Sequence, residues 1–336
     1  MKRKFILSIL IVTQLFLINS KAVSEEITPL NKQKIQFDEI WGYMIRGTEK
    51  HFSGSEPVTD IFYFSCSVNY KGRLNINVKP PVLLSKNGIK RRVHLVITEL
   101  SNPALMHFVL NPEYEMRDKL INDIVTVSEN FDGVQLDFEA IAADDKEAFL
   151  LFLKNLKQKM KPGKVLSIAL PARRKYVEDA YDYKIISSIV DKVFIMTYDQ
   201  HWSTSKPGPV ASLSWCKKVA LYAEKTIPKN KLVMGLPLYG RSWQDNNYNK
   251  SVRKTNMKEI FSKENITHEY SDETGDIITY KDTVNVTVYC DNNNSLREKL
   301  LLFKEFTGSV GFWRLGFENS SIWDEMTVNK SEPEKD

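Results

Sequence analysis

The stretch FDGVQLDFEA, residues 131–140, decides the fold class of this 336-residue chain. Within it, three apolar residues alternate with an amide and two carboxylates, Gln135, Asp137 and Glu139. Successive side chains of a β-strand point to opposite faces, so one face is apolar and the other carries the three polar groups. The strand is apolar enough to be buried, yet it holds two neighbouring carboxylates. This combination predicts a functional site where the strand ends.

Strand-like and helix-like segments alternate on both sides of this stretch. Eight strands joined by helices imply parallel pairing, and they predict the α/β class with a (β/α)8 TIM barrel. An open, doubly wound sheet is the alternative, but no glycine-rich phosphate loop supports it. The other seven predicted strands are 40–46, 60–68, 90–98, 164–172, 191–199, 231–240 and 308–316. Helical patterns cover 115–130, 215–225, 295–306 and a segment from Asp144, which with Glu147 resembles a capping box.

Composition divides the chain into four parts. Residues 1–22 join a basic start, an apolar run and a small-residue end, which predicts a secretory signal cleaved after Ala22. An uncleaved membrane anchor is the alternative, although the apolar run is short for a span. A lead-in over 23–36 precedes the predicted barrel over 37–326, and a polar tail follows over 327–336. The polar segment 244–290 predicts a small α+β insertion after strand seven.

Charge and cysteine content argue against several classes of protein. The leader holds four of the 47 basic residues, which leaves 43 against 42 acidic residues in the mature chain. This balance gives no electrostatic case for nucleic acid binding. The three cysteines do not suggest a disulfide framework, and no close Cys/His pair suggests a zinc site. We therefore expect no metal, no cofactor and no stable membrane span after signal cleavage, and we expect a monomer.

The neighbouring acids Asp137 and Glu139 predict acid–base chemistry at the end of the fourth strand. Barrel enzymes carry their catalytic groups at the C-terminal ends of the strands. Burial and a nearby like charge raise the pKa of a carboxyl group, and a general acid needs a raised pKa near neutral pH. Metal ligation and pairing with a buried arginine are the alternatives that spacing alone leaves open.

The segment DGVQLDFE resembles the D-x-x-D-x-D-x-E motif of glycoside hydrolase family 18, the chitinase family. Asp132, Asp137 and Glu139 match its first, third and fourth acids. Gln135 stands in the place of the second acid. We expect Asp132 to be a structural residue at the strand entrance.

Three later segments resemble further motifs of that family, in the same order along the chain. They are MTYD at 196–199, GLPLYGRSW at 235–243 and GFWRLG, which contains Trp313. The resemblance covers nearly all of residues 37–326, and the C-terminal part is most similar to bacterial cell-wall glucosaminidases of the spore-cortex-hydrolase type. The resemblance implies a cis peptide bond between Trp313 and Arg314.

The resemblance implies hydrolysis with retention, in which the 2-acetamido group of the substrate makes the attack. Glu139 would be the general acid and base, Asp137 would stabilise the cyclised intermediate, and Tyr198 would hold the acetamido carbonyl. These three are the predicted catalytic residues. The predicted substrate-binding residues are Trp313, which would lie under the sugar, and Met196, Asp199, Gln135, Tyr239, Arg241, Tyr43 and Phe64.

The sequence therefore predicts an exported hydrolase in the periplasm, the cell envelope or the extracellular space. Its expected partner is a polysaccharide or oligosaccharide that contains N-acetylglucosamine, with peptidoglycan first and chitin-type glycans second. One alternative is an endo-β-N-acetylglucosaminidase that acts on N-glycans. Another is a catalytically weak or inactive sugar-binding barrel of the lectin type, which Gln135 keeps open although Glu139 favours an enzyme.

Overall fold

The computed structural model describes residues 33–244, 249–281 and 285–329. The first ten strands are β1 (Ile35–Phe37), β2 (Glu39–Ile45), β3 (Asp60–Ser67), β4 (Arg92–Glu99), β5 (Gly133–Phe138), β6 (Val165–Pro171), β7 (Lys192–Met196), β8 (Leu232–Pro237), β9 (Tyr239–Gln244) and β10 (Asn249–Arg253). The others are β11 (Thr267–Ser271), β12 (Gly275–Lys281), β13 (Asn285–Cys290), β14 (Ser309–Trp313) and β15 (Met326–Val328). The helices are α1 (Pro103–Leu110), α2 (Glu115–Ser128), α3 (Lys146–Lys159), α4 (Tyr183–Ile189), α5 (Leu213–Thr226), α6 (Met257–Phe261) and α7 (Asn293–Phe306).

Eight parallel strands close into a barrel in the order β14-β2-β3-β4-β5-β6-β7-β8. The predicted fold class is confirmed. The expectation of a helix after every strand is wrong for the first two connections, because residues 46–59 and 68–91 contain no α-helix. Pro80 and Pro81 interrupt the second connection, and proline cannot donate the hydrogen bond that a helix interior needs.

Aromatic side chains fill the barrel interior. Trp41, Tyr43, Phe62 and Phe194 form a buried cluster, in which the rings of Trp41 and Phe62 stack with centroids 4.2 Å apart. Gly235 makes room for this cluster, because a Cβ atom there would lie 2.3 Å from the Phe194 ring. The interior is therefore a packed core, and ligands can approach only at its ends.

Charged groups occupy the N-terminal end of the barrel. The buried Asp60 carboxylate accepts hydrogen bonds from His94 Nε2 at 2.8 Å and pairs with Arg92 Nε at 2.7 Å. Burial alone would raise the pKa of Asp60, but the hydrogen bonds and charges of His94 and Arg92 lower it overall. Arg92 also pairs with Glu39 at 2.8 Å. The two neighbouring acids at the end of the strand β5 lie at the opposite, C-terminal end, which we call the mouth of the barrel.

The start of α3 differs from the predicted capping box. Residues Ala143–Asp145 form a 3-10 turn, and Asp145 occupies the N-cap without a side-chain cap hydrogen bond. Its carboxylate contacts His107 Nδ1 at 2.7 Å instead. A tertiary contact with α1 has therefore replaced the local cap.

The insertion is a five-stranded antiparallel sheet in the order β10-β9-β13-β12-β11. Its first strand, β9, begins at Tyr239, although the sequence predicted the insertion to begin at 244. The predicted strand 231–240 is in fact two strands, which break at Leu238, where the backbone N–H donates to the Trp313 carbonyl at 2.7 Å. Tyr239 and Arg241 thus belong to the insertion sheet.

A buried ion pair joins the end of the insertion to α7. Lys299 on α7 is 1% exposed, and its ammonium group donates to Asp291, which follows β13 and is 6% exposed. The Ser295 hydroxyl donates to the same carboxylate at 2.7 Å. The connection from the insertion back to the barrel is therefore fixed by charge as well as by packing.

Replacement of Lys299 with methionine is expected to lower the free energy of unfolding by about 3–5 kcal/mol, because it leaves the Asp291 carboxylate buried without its cation. Urea unfolding measures the loss. The control is the double variant Lys299→Met with Asp291→Asn, which removes both charges and is expected to recover most of the stability. Equal loss in the single and double variants would contradict this explanation.

The two ends of the described chain meet in a short parallel pair, since Ile35 of β1 pairs with Met326 of β15. The predicted signal over 1–22, most of the lead-in and the last residues of the tail lie outside the described residues. In the part of the chain that the structure describes, no helix is both long and apolar enough to cross a membrane. The thiols of Cys66, Cys216 and Cys290 are buried.

Candidate active site

Strand β5 delivers the two motif acids to the mouth of the barrel. All its residues are buried, including Asp137, which is 5% exposed. Glu139 lies just beyond the strand end and is exposed, and its backbone N–H donates to the Glu99 carbonyl at 2.8 Å. The same alternation that the sequence shows therefore stacks one buried carboxyl group below one accessible carboxyl group.

Asp137 is an unusual buried acid. Its Oδ1 atom is buried and has no hydrogen-bond partner among the described residues. Burial, followed by the nearby charge of Glu139, raises the pKa of Asp137 to about 8. Buried polar atoms nearly always have a partner, so an orphaned carboxyl oxygen beside an open mouth marks a place where a ligand donor can bind.

Glu139 has the pKa behaviour expected of a general acid. Partial withdrawal from water, followed by the charge of Asp199, raises its pKa above the ordinary value. Asp137 and Glu139 also repel each other when both are ionised, so they titrate as a pair. At neutral pH this pair therefore retains a proton that can be donated.

Gln135 lies below Asp137 and is fully buried. Its Oε1 atom accepts a hydrogen bond from the Tyr43 hydroxyl, and its Nε2 atom donates to Ser167 Oγ at 3.4 Å. The sequence reasoning missed Ser167. It stands opposite Gln135 in the pairing of β5 with β6, so only the strand register reveals it. Both ends of the Gln135 amide are engaged by the barrel, which leaves the Asp137 carboxyl group to interact with other groups.

Aromatic residues form one side of the mouth. The half-buried Trp313 ring lies 5.3 Å from Tyr43 and 5.0 Å from Phe64, measured between centroids. The peptide bond between Trp313 and Arg314 is cis, as the resemblance implied. Met196 and Tyr198 pack against the same interior cluster. The exposed ring surface offers the kind of apolar face on which sugar rings stack.

Asp199 is the centre of a second cluster. It has a positive φ of 55°, a conformation that Asp tolerates better than most residues. Its Oδ1 atom accepts hydrogen bonds from the Tyr239 hydroxyl at 2.5 Å, from Arg241 Nη2 at 2.7 Å and from Arg241 Nε at 3.0 Å. The Tyr239 ring also lies 6.3 Å from the Tyr198 ring. The insertion strand β9 thereby supplies one wall of the mouth and fixes Asp199.

All eleven predicted site residues lie in the barrel interior, at its mouth or on the adjoining strand β9. Direct contacts join several of them in two groups. Tyr43 and Trp313 connect Gln135 with Phe64, and Asp199 contacts Tyr239 and Arg241. A separate cleft of about 1490 Å3, lined by His51, Glu56 and Glu318 among others, includes none of the eleven in its described lining. Its size alone gives no reason to assign chemistry to it.

Asp137→Asn is expected to weaken the pH dependence of stability. The folded-state pKa of about 8 lies well above the ordinary aspartate value of about 3.9, so the folded protein holds this proton more tightly than the unfolded chain does. That contribution is fully present below about pH 4 and is lost as the pH rises through about 8. Between about pH 5 and pH 8, we expect the wild type to lose about 3–4 kcal/mol more unfolding free energy than the variant. Urea unfolding at both pH values measures it, and parallel pH profiles would contradict the raised pKa.

The sequence matches a family model described as Glycosyl hydrolases family 18 over residues 101–318. The cortical fragment-lytic enzyme of Bacillus anthracis is 29% identical over 256 residues, which cover 70% of this chain and 59% of that enzyme. The Bacillus subtilis (strain 168) enzyme of the same name is 29% identical over 251 residues, covering 68% of this chain and 58% of that enzyme. The chain thus spans a little over half the length of these curated relatives.

Solved structures resemble the chain over more of its length. The crystal structure of the spore cortex-lytic enzyme SleL from Bacillus cereus matches with a TM-score of 0.76 and 26% identity. The match covers 89% of this chain and 76% of that chain.

Proposed function

Because the chain belongs to glycosyl hydrolase family 18, we propose that it is a glycosidase that cleaves glycans containing β-linked N-acetylglucosamine. The observation that carries the proposal is the stacked pair on β5: Asp137 is buried with an orphaned oxygen, and Glu139 is exposed at the mouth with a raised pKa. The half-buried Trp313 ring adds a surface for the sugar. An acid, a group that can bind the acetamido N–H and an aromatic floor are what this hydrolysis needs.

The proposed mechanism uses the substrate's own acetamido group as the nucleophile. Glu139 gives its proton to the leaving oxygen and then takes a proton from the attacking water. Asp137 accepts a hydrogen bond from the acetamido N–H, which supplies its Oδ1 atom with the missing partner. Tyr198 directs the acetamido carbonyl toward the anomeric carbon. The product keeps the β-configuration, because two displacements follow each other at the same carbon.

Peptidoglycan is the proposed first substrate, and chitin-type glycans are the second. The names of the relatives favour this order, since they describe enzymes that act on the spore cortex. The hydrogen bonds of Gln135 support the interpretation as an active enzyme over that as a lectin. Its amide is engaged by Tyr43 and Ser167, so the loss of the motif's second acid leaves no unsatisfied charge beside Asp137.

Digestion with product analysis tests the proposal. Protein comprising residues 23–336 is incubated separately with peptidoglycan, chitin oligomers and an N-glycosylated protein, and the soluble products are identified by mass and reducing end. We expect fragments that end in N-acetylglucosamine from peptidoglycan, and at least about 100-fold less of them from an identical incubation with Glu139→Gln. Release of glycans from the N-glycosylated protein alone would favour an endo-β-N-acetylglucosaminidase. Sugar binding without any product would favour an inactive sugar-binding barrel of the lectin type.

Export is a further part of the proposal, and it rests on the composition of residues 1–22. The proposed substrate is consistent with export, because peptidoglycan lies outside the cytoplasmic membrane. N-terminal sequencing of the protein recovered from the producing cells tests cleavage, with Val23 as the expected first residue. A protein recovered only with Met1 in place would contradict it.

A further inference from the structure

Tyr181 contacts the backbone on both sides of Glu139. It lies at the end of the loop between β6 and α4 and is 9% exposed. Its hydroxyl donates to the Phe138 carbonyl at 2.9 Å and accepts from the Ile141 N–H at 3.1 Å. One oxygen atom therefore bridges two backbone groups that are three residues apart, and the residues between them are Glu139 and Ala140.

This bridge completes the support of the Glu139 backbone. The Glu139 N–H is already held by the Glu99 carbonyl at the end of β4. The side chain of Ile141 is 7% exposed and packs in the main core. Glu139 is thus an exposed side chain on a backbone that is held before it, at it and after it, and the hydrogen bond after it is accepted by Tyr181.

Tyr181 is itself held in place. Its backbone N–H donates to Asp179 Oδ1 at 2.9 Å, and Asp179 forms an ion pair with Arg173. Its ring meets Phe149 of α3 edge to face, with centroids 6.3 Å apart. Burial raises the pKa of the hydroxyl to about 12, so it keeps the proton that it donates at neutral pH. The bridge is therefore present throughout the pH range in which Glu139 titrates.

We propose that Tyr181 is a positioning residue, whose hydroxyl holds the Glu139 carboxyl group at the distance and angle that proton transfer to the leaving oxygen requires. The catalytic consequence of this role rests on the proposed function. The hydrogen bonds from Tyr181 to Phe138 and Ile141 can be tested independently of that function. A general acid acts only within hydrogen-bond reach of the oxygen that it protonates. Displacement by about 1 Å can lower a rate by about 100-fold.

Tyr181→Phe tests the role, and Tyr183→Phe is the matched control. Tyr183 is also a buried phenol, two residues further on, and its hydroxyl donates to the Pro171 carbonyl. Both variants lose one hydroxyl and its hydrogen bond to a barrel strand, but only Tyr181→Phe also loses the hydrogen bond from the Ile141 N–H on the far side of Glu139. The rate is measured on an N-acetylglucosamine oligomer well below the unfolding temperature, with the folded fraction of each protein determined by circular dichroism.

We expect Tyr181→Phe to lower kcat by about 10- to 100-fold with KM within about 3-fold, because the sugar still binds while the acid is displaced. Tyr183→Phe is expected to keep kcat within about 3-fold. Unchanged kcat in Tyr181→Phe, or an equal loss in both variants, would overturn the role.

Amide hydrogen exchange separates this inference from the proposed function. Exchange of the Ile141 N–H is expected to be at least about 10-fold faster in Tyr181→Phe than in the wild type, and unchanged in Tyr183→Phe. Faster exchange in a protein that cleaves no glycan would uphold the bridge and refute the proposed function. Unchanged exchange would refute the bridge, whatever the activity.

Discussion

Glu139→Gln is expected to lower glycan hydrolysis by about 100- to 10,000-fold, the range that loss of a general acid produces. Glutamine keeps the size of the side chain but cannot give a proton to the leaving oxygen. Glu139 is exposed just beyond the end of β5, so its replacement leaves the packed strand below it intact. Binding of an N-acetylglucosamine oligomer, followed by intrinsic tryptophan fluorescence, is expected to stay within about 3-fold of the wild type.

Asp132→Asn is the matched control for this experiment. Asp132 begins the same motif at the other end of β5, and its carboxylate accepts a hydrogen bond from the Val93 N–H at 2.7 Å. An asparagine oxygen can still accept that bond, so turnover is expected to stay close to wild type. Wild-type turnover by Glu139→Gln would remove the general acid from the mechanism. Loss of both binding and turnover would point to a structural role for Glu139 instead.

Hydrolysis is also expected to require the 2-acetamido group of the substrate. An aryl β-chitobioside or N-acetylglucosaminide should be cleaved, while the matching aryl β-glucoside should react at least about 1000-fold more slowly, because intramolecular attack loses its nucleophile. A thiazoline that mimics the cyclised intermediate is expected to inhibit competitively. Initial rates of chromophore release measure all three.

Two observations favour the acetamido group over a carboxylate as the proposed nucleophile. Asp137 has a pKa of about 8, so it is largely protonated at neutral pH and lies on the same strand as the acid. Asp199 Oδ1 accepts three hydrogen bonds from Tyr239 and Arg241, which weaken it as a nucleophile. A retaining enzyme that uses a carboxylate carries it about 5 Å from the acid, across the scissile bond. Comparable rates on the two glycosides, or a sugar ester trapped on Asp137 or Asp199, would falsify the mechanism.

The sequence predicted the parts of the site that depend on local periodicity. Alternation along 131–140 is sufficient to give Asp137 and Glu139 the same face, and the end of the apolar run gives Glu139 its exposed position. Resemblance supplied Tyr198 and Trp313, whose roles no local pattern shows. The barrel itself followed from the count of strands, because eight strands with parallel connections have few ways to pair.

The parts that were missed depend on contacts between distant segments. A nearly continuous apolar run crosses Leu238, so the residue pattern predicts one strand, although Pro237 marks the point where β8 ends and the chain leaves the barrel. The bridge from Tyr181 to Phe138 and Ile141 joins residues about forty positions apart. Arg241 was predicted to bind substrate, and its ion pair with Asp199 depends on the position of β9 beside the end of β7, which no local pattern shows.

The pairing of β1 with β15 determines at which end of the barrel the protein can be attached to a support. Phe37 pairs with Val328, and the neighbouring Asp38 N–H donates to the Gly308 carbonyl just before β14 begins. Both of these chain segments therefore leave the barrel at its N-terminal end, while Glu139 lies at the other end. A tether attached beyond either segment would hold the protein from behind, with the mouth turned outward. Immobilised in this way, the barrel would present Glu139 to an insoluble polymer lattice and keep its support out of the path of the glycan chain.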